Sequence, residues 1–68
     1  MENNIIKLTP REYEVLCYLV EGYSYKQIAD QCMVSFSTTN THLKHIYKKL
    51  NVRSATAAVS KALREQML

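Results

Sequence analysis

Hydrophobic and polar residues follow a helical period in four separate stretches of this chain, and each stretch is preceded by residues suited to start a helix. In the first, Tyr13, Leu16, Cys17 and Val20 recur at helical spacing behind Thr9-Pro10-Arg11-Glu12. Thr9 can cap, Pro10 suits the first helical position because it has no N–H to leave unsatisfied, and Glu12 can close a capping box. Leu8 and Tyr13 are placed to form a hydrophobic staple across that cap. Gly22, the only glycine, suits a left-handed stop, so the first helix is expected over residues 10–21. Ser24 and Gln27 repeat the box ahead of Ile28, Ala29 and Cys32, which predicts a short helix over about residues 25–32. After the apolar turn Met33-Val34, Ser35 can cap a third helix over 36–50. Its apolar stripe is Phe36, Thr39 by its methyl, Leu43, Ile46, Tyr47 and Leu50, and Asn51 can take the left-handed stop. Ser54 then caps a fourth helix over about 55–66, with Ala58, Val59, Ala62 and Leu63 on its stripe. No strand pattern and no internal repeat interrupts this order. The expected architecture is all-α, with four helices.

Composition narrows the function classes. Sixty-eight residues allow one small domain and exclude a multidomain enzyme. With 47% apolar and 22% charged residues the chain falls among ordered globular sequences rather than disordered ones. The longest apolar run, Val15 to Val20, is too short to span a membrane. Met1-Glu2-Asn3-Asn4 lacks the basic and apolar segments of a secretion signal, so the chain reads as cytoplasmic. Cys17 and Cys32 fall on apolar stripes and are expected as buried free thiols. Their spacing to His42 and His45 does not fit a zinc finger, so neither a metal nor another cofactor is expected. No nucleophile and base are placed together as an active site needs, and enzymatic activity is not expected.

Charge is unevenly spread. Residues 1–30 carry a net −2 and residues 31–68 a net +5. A basic half on a structured small domain points to a polyanion. A short helix, a brief turn and a longer helix, braced on both sides, form a helix-turn-helix, whose second helix projects small polar side chains into the major groove of DNA. Ser37, Thr38, Asn40, Thr41 and Lys44 fit that demand. Asn can pair with adenine, Lys can donate to guanine, and Thr can offer its methyl to thymine. Lys48, Lys49 and Arg53 lie further along, where phosphates are near. Lys61 and Arg64 are read as favouring the dipole of the fourth helix. Tyr23 and Tyr25, near the start of the second helix, are read as packing residues or as hydroxyl donors to phosphate.

Several separated blocks carry a family resemblance: Leu8-Thr9-Pro10-Arg11-Glu12, Val15-Leu16, Gly22-Tyr23-Ser24-Tyr25-Lys26-Gln27-Ile28-Ala29, Val34-Ser35, Thr38, Thr41-His42-Leu43, Ile46-Tyr47 and Lys49-Leu50-Asn51-Val52-Arg53-Ser54. Together they resemble the LuxR-type DNA-binding domain, also called the FixJ/NarL or GerE type, over about residues 8–64. The resemblance implies a bacterial transcription regulator that binds double-stranded promoter DNA through its third helix, with a homodimer contact through the fourth. By position it implies base reading by Asn40, Thr41 and Lys44. It implies backbone contacts by Thr38, His42, Lys48 and Arg53, with Lys26 as a weaker one. RNA polymerase is a further candidate partner.

Two positions depart from the family's habit. Asn40 stands where Lys is common, which tilts the expected preference from guanine towards adenine. Thr39 stands where Val is common, keeping the shape and adding a hydroxyl that can bond to a carbonyl one turn back. Residues 1–7 are read as an N-terminal tail or linker stub and residues 8–68 as the domain, either the output of a response regulator or a stand-alone regulator. Two other readings compete, a promoter-reading region like that of a sigma factor and a helical protein-interaction module. The fourth helix weighs against the first of these, and the second predicts little loss of function on Lys44→Ala and weak salt dependence, where a DNA reader predicts the reverse.

Overall fold

The computed structural model describes residues 7–68, so the reading of 1–7 as a tail falls, apart from Lys7, outside the described residues. Four helices follow in order: α1 (Pro10–Val20), α2 (Tyr25–Cys32), α3 (Phe36–Leu50) and α4 (Ala55–Arg64). Each begins at a Ser or Thr whose side chain accepts a backbone N–H three residues on: Thr9 from Glu12, Ser24 from Gln27, Ser35 from Thr38 and Ser54 from Ala57. At α1 and α2 the box is reciprocal, with the Thr9 N–H donating to Glu12 Oε1 at 2.9 Å and the Ser24 N–H to Gln27 Oε1 at 2.8 Å. Orphan amides of the first turn are thereby satisfied locally.

All four helices also end alike, on a residue of positive φ: Gly22, Met33, Asn51 and Gln66. The next N–H in each case reaches back to a carbonyl five residues earlier, from Tyr23 to Tyr18, Val34 to Ala29, Val52 to Tyr47 and Met67 to Ala62. This is the Schellman closure, and at α1 the accompanying apolar contact is the Tyr18–Tyr23 ring pair at 5.0 Å. Two expected boundaries shift for this reason. Helix α1 stops at Val20 rather than 21, with Glu21 as its cap, and α4 stops at Arg64 rather than 66 because Gln66 takes the left-handed turn.

The core lies where α3 crosses the other three helices. Val15 and Leu16 of α1, Ile28 of α2, Leu43, Ile46 and Leu50 of α3, and Ala58 and Ala62 of α4 are buried together. Each fully buried Leu or Ile contributes about 1.5–3 kcal/mol. Some residues assigned to the stripes lie outside this core. Tyr13, Phe36 and Leu63 are 44%, 55% and 59% exposed, because they sit at stripe edges that other helices leave partly open. Cys32 is a buried free thiol, whereas Cys17, expected to be buried as well, is half-buried.

Thr39 is fully buried in the core, yet its hydroxyl has no hydrogen-bond partner among the described residues and does not reach the carbonyl one turn back. An unpaired buried hydroxyl costs about 1–3 kcal/mol. Thr39→Val keeps the shape and removes that cost. The expected result is a gain of about 1 kcal/mol, seen as a rise of about 4–8 °C in the thermal midpoint followed by circular dichroism.

Candidate nucleic-acid interface

The register of α3 separates its faces. Opposite the buried residues Thr39, Leu43, Ile46 and Leu50 runs the exposed stripe Ser37, Thr41, Lys44 and Lys48, at positions i, i+4, i+7 and i+11. Neither Lys44 nor Lys48 has an ion-pair partner among the described residues. Exposed Thr41 donates its hydroxyl to the Ser37 carbonyl at 3.1 Å, which leaves the oxygen able to accept a further hydrogen bond. Thr38, exposed in the first turn, accepts from the Ser35 hydroxyl at 3.0 Å and keeps its own hydroxyl proton for a partner.

The flanks differ in chemistry. One side, towards α2, carries Phe36, half-buried Asn40 and Tyr47. Tyr25 of α2 packs its ring 6.4 Å from that of Phe36 and shares a hydroxyl hydrogen bond with Tyr47. Burial and this bond hold the Tyr47 phenol well above its ordinary pKa, so it stays neutral. Tyr25 and Tyr23 thus both serve in packing, Tyr23 against Tyr18.

The other side, towards α1, carries Thr38, half-buried His42, His45 and Lys49. Here the sequence reading needs correction. Lys49 is not free for phosphate, because its ammonium donates to Glu12 Oε1 at 2.6 Å. Glu12 is buried, and the same oxygen receives the Thr9 amide while His45 Nδ1 stands 3.9 Å from Oε2. Lys61 likewise departs from its expected role. It reaches across to donate to the Leu50 carbonyl at 2.8 Å, capping the C-terminal end of α3 rather than its own helix. Among the nine Lys and Arg residues, then, Lys49 and Lys61 are spent inside the fold and Arg11 pairs with Glu14. Lys26, in the first turn of α2, and Arg53, between α3 and α4, are exposed without an ion pair among the described residues.

The Glu12 cluster has a pH signature. Burial raises the pKa of its carboxyl, but the Lys49 hydrogen bond, the Thr9 amide and the nearby positive charge outweigh burial and hold it below its ordinary value. A carboxylate with a lowered folded pKa contributes stability that is fully present above its unfolded value and is lost as pH falls through the folded one. Melts taken downward from neutral pH are expected to hold steady until about 4.5 and then weaken. In Glu12→Gln that acid-dependent part is expected to vanish, with a lower midpoint at neutral pH.

A short helix, a three-residue turn and a longer helix whose outer stripe is polar and cationic define a helix-turn-helix domain. The chain belongs to the luxR family of bacterial regulatory proteins, the GerE group, matching it over residues 7–62. It is thus a DNA-binding domain of transcription regulators. It is 39% identical over 61 residues to the oxygen regulatory protein NreC of Staphylococcus carnosus (strain TM300), covering 90% of this chain and 28% of that protein. NreC of Staphylococcus epidermidis matches at the same identity and coverage. The crystal structure of the response regulator ChrA, of a heme-sensing two-component system, superposes with a TM-score of 0.85 at 35% identity, over 100% of this chain and 33% of that one. The chain therefore spans about a third or less of the length of these relatives.

Proposed function

We propose that the domain reads a specific sequence in double-stranded DNA by laying α3 in the major groove. The observation that carries this reading is the exposed stripe Ser37, Thr41, Lys44 and Lys48, whose two lysines have no ion-pair partner among the described residues, on one side of α3 while the other side is packed. On this reading Asn40, Thr41 and Lys44 contact bases. Thr38, His42, Lys48 and Arg53 contact the backbone, with Lys26 reaching it from the start of α2. Half-buried Asn40 and His42 flank the stripe on its two sides, Asn40 towards α2 and His42 towards α1.

Affinity from one such helix is small, and two copies pairing through α4 would set half-sites about one helical turn apart. Leu63 leaves an exposed apolar side chain on α4, which supports this pairing. The similarity to the response regulator ChrA supports a role as the output of a regulator that receives its signal elsewhere; on this reading the domain acts in the cytoplasm on promoters, with RNA polymerase as a further partner. In this reading residues 8–68 are the DNA-reading unit and residues 1–7 precede it as a linker.

Selection of bound duplexes from a random DNA pool at moderate salt tests the proposal. The expected product is an inverted repeat that Lys44→Ala fails to enrich. A single half-site without its repeat would remove the paired arrangement, and retention of no DNA would remove the reading altogether.

A further inference from the structure

Phe36 is the first residue of α3 and stands 55% exposed beside Ser37 and Thr38, which are polar. The ring is not loose. Tyr25 lies against it at 6.4 Å with a 42° tilt, and Tyr25 is itself fixed from the far side by its hydroxyl bond to Tyr47. An aromatic buttress thus holds an apolar side chain at the leading end of the helix, one turn ahead of Asn40 on the same flank.

Resting on the reading of α3 as the recognition helix, we infer that Phe36 is a specificity-determining residue that packs against the 5-methyl group of a thymine next to the base pair read by Asn40. The N-terminal end of such a helix goes deepest towards the base edges. There the floor of the major groove presents donors and acceptors at every pair, and its one apolar target is the thymine methyl. A phenyl ring has no hydrogen bond to offer a phosphate or a polar base edge. Its contribution at this place comes only from covering that methyl. Asn40 pairs with adenine through two hydrogen bonds, so together the two residues favour an A·T-rich step at the same edge of the half-site.

The test uses the duplex enriched by the selection above, with each thymidine replaced in turn by deoxyuridine, which removes the 5-methyl group and nothing else. Wild-type protein is expected to lose about fourfold in affinity at one such position per half-site, the equivalent of one buried methyl. Phe36→Ala is expected to bind thymine and uracil duplexes equally there, and Phe36→Leu, which keeps an apolar group against Tyr25, to retain part of the difference. Uracil penalties in Phe36→Ala identical to those of wild type would overturn the inference, as would an enriched motif without thymine. Both outcomes leave sequence-specific reading by α3 intact. Failure of the wild-type protein to enrich any motif would instead bring down that reading, and this one with it.

Discussion

Leu43→Ala is expected to leave the domain largely unfolded at 25 °C. Leu43 is fully buried at the middle of α3, within the cluster that joins all four helices. Removing such a side chain costs about 2–5 kcal/mol, whereas a core of this size supplies only about 3–5 kcal/mol in all. The loss should appear as a weak helical signal in circular dichroism and collapsed amide dispersion in NMR spectra. Lys48→Ala, on the opposite face of the same helix, serves as the control and should melt within a degree or two of wild type, since exposed substitutions of this kind fall within about 0.5 kcal/mol. A cooperative, near-native melt for Leu43→Ala would mean that the core closes around the gap far better than its packing suggests.

Lys44→Ala is expected to produce the largest loss of DNA binding from a single surface change. A side chain that donates to a base edge contributes about 1–3 kcal/mol of discrimination, or about 5- to 150-fold in affinity for the preferred site. Affinity for unrelated duplexes should fall much less. Lys48→Ala should behave differently, weakening binding to all sequences alike and lowering the salt slope by about one. Lys49 provides the contrast that structure alone supplies. With its ammonium on Glu12, Lys49→Met is expected to lower the thermal midpoint and leave the salt slope near that of wild type. Binding isotherms on the selected and a scrambled duplex, at several salt concentrations, separate the three. Equal losses on both duplexes for Lys44→Ala would reassign it to the backbone.

The features legible in the sequence were those made by neighbours along the chain. A cap joins residues three apart, and Thr9, Ser24, Ser35 and Ser54 each announce one by chemistry. Gly22, with no Cβ, and Asn51, with a short polar side chain, announce left-handed stops because both tolerate positive φ, whereas Met33 and Gln66 adopt the same backbone with nothing in their chemistry to signal it. Periodicity placed the stripe of α3 that faces the core and the polar stripe opposite. It could not tell that Phe36 and Leu63, at the edges, would be left partly uncovered, since that depends on where other helices end. Nor could local pattern distinguish Lys49 from Lys48. One finds a carboxylate 37 residues away and the other does not, and only the crossing of α1 with α3 decides which.

That same carboxylate has a mechanical meaning. A single oxygen of Glu12 grips the amide of Thr9, where the chain enters α1, and the ammonium of Lys49, near the end of α3. The entry of the chain into α1 and the C-terminal part of α3 are therefore tied to one oxygen atom. A folded body joined stiffly just ahead of Thr9 would gain leverage over the tilt of α3, and a slack tether at the same place would gain none.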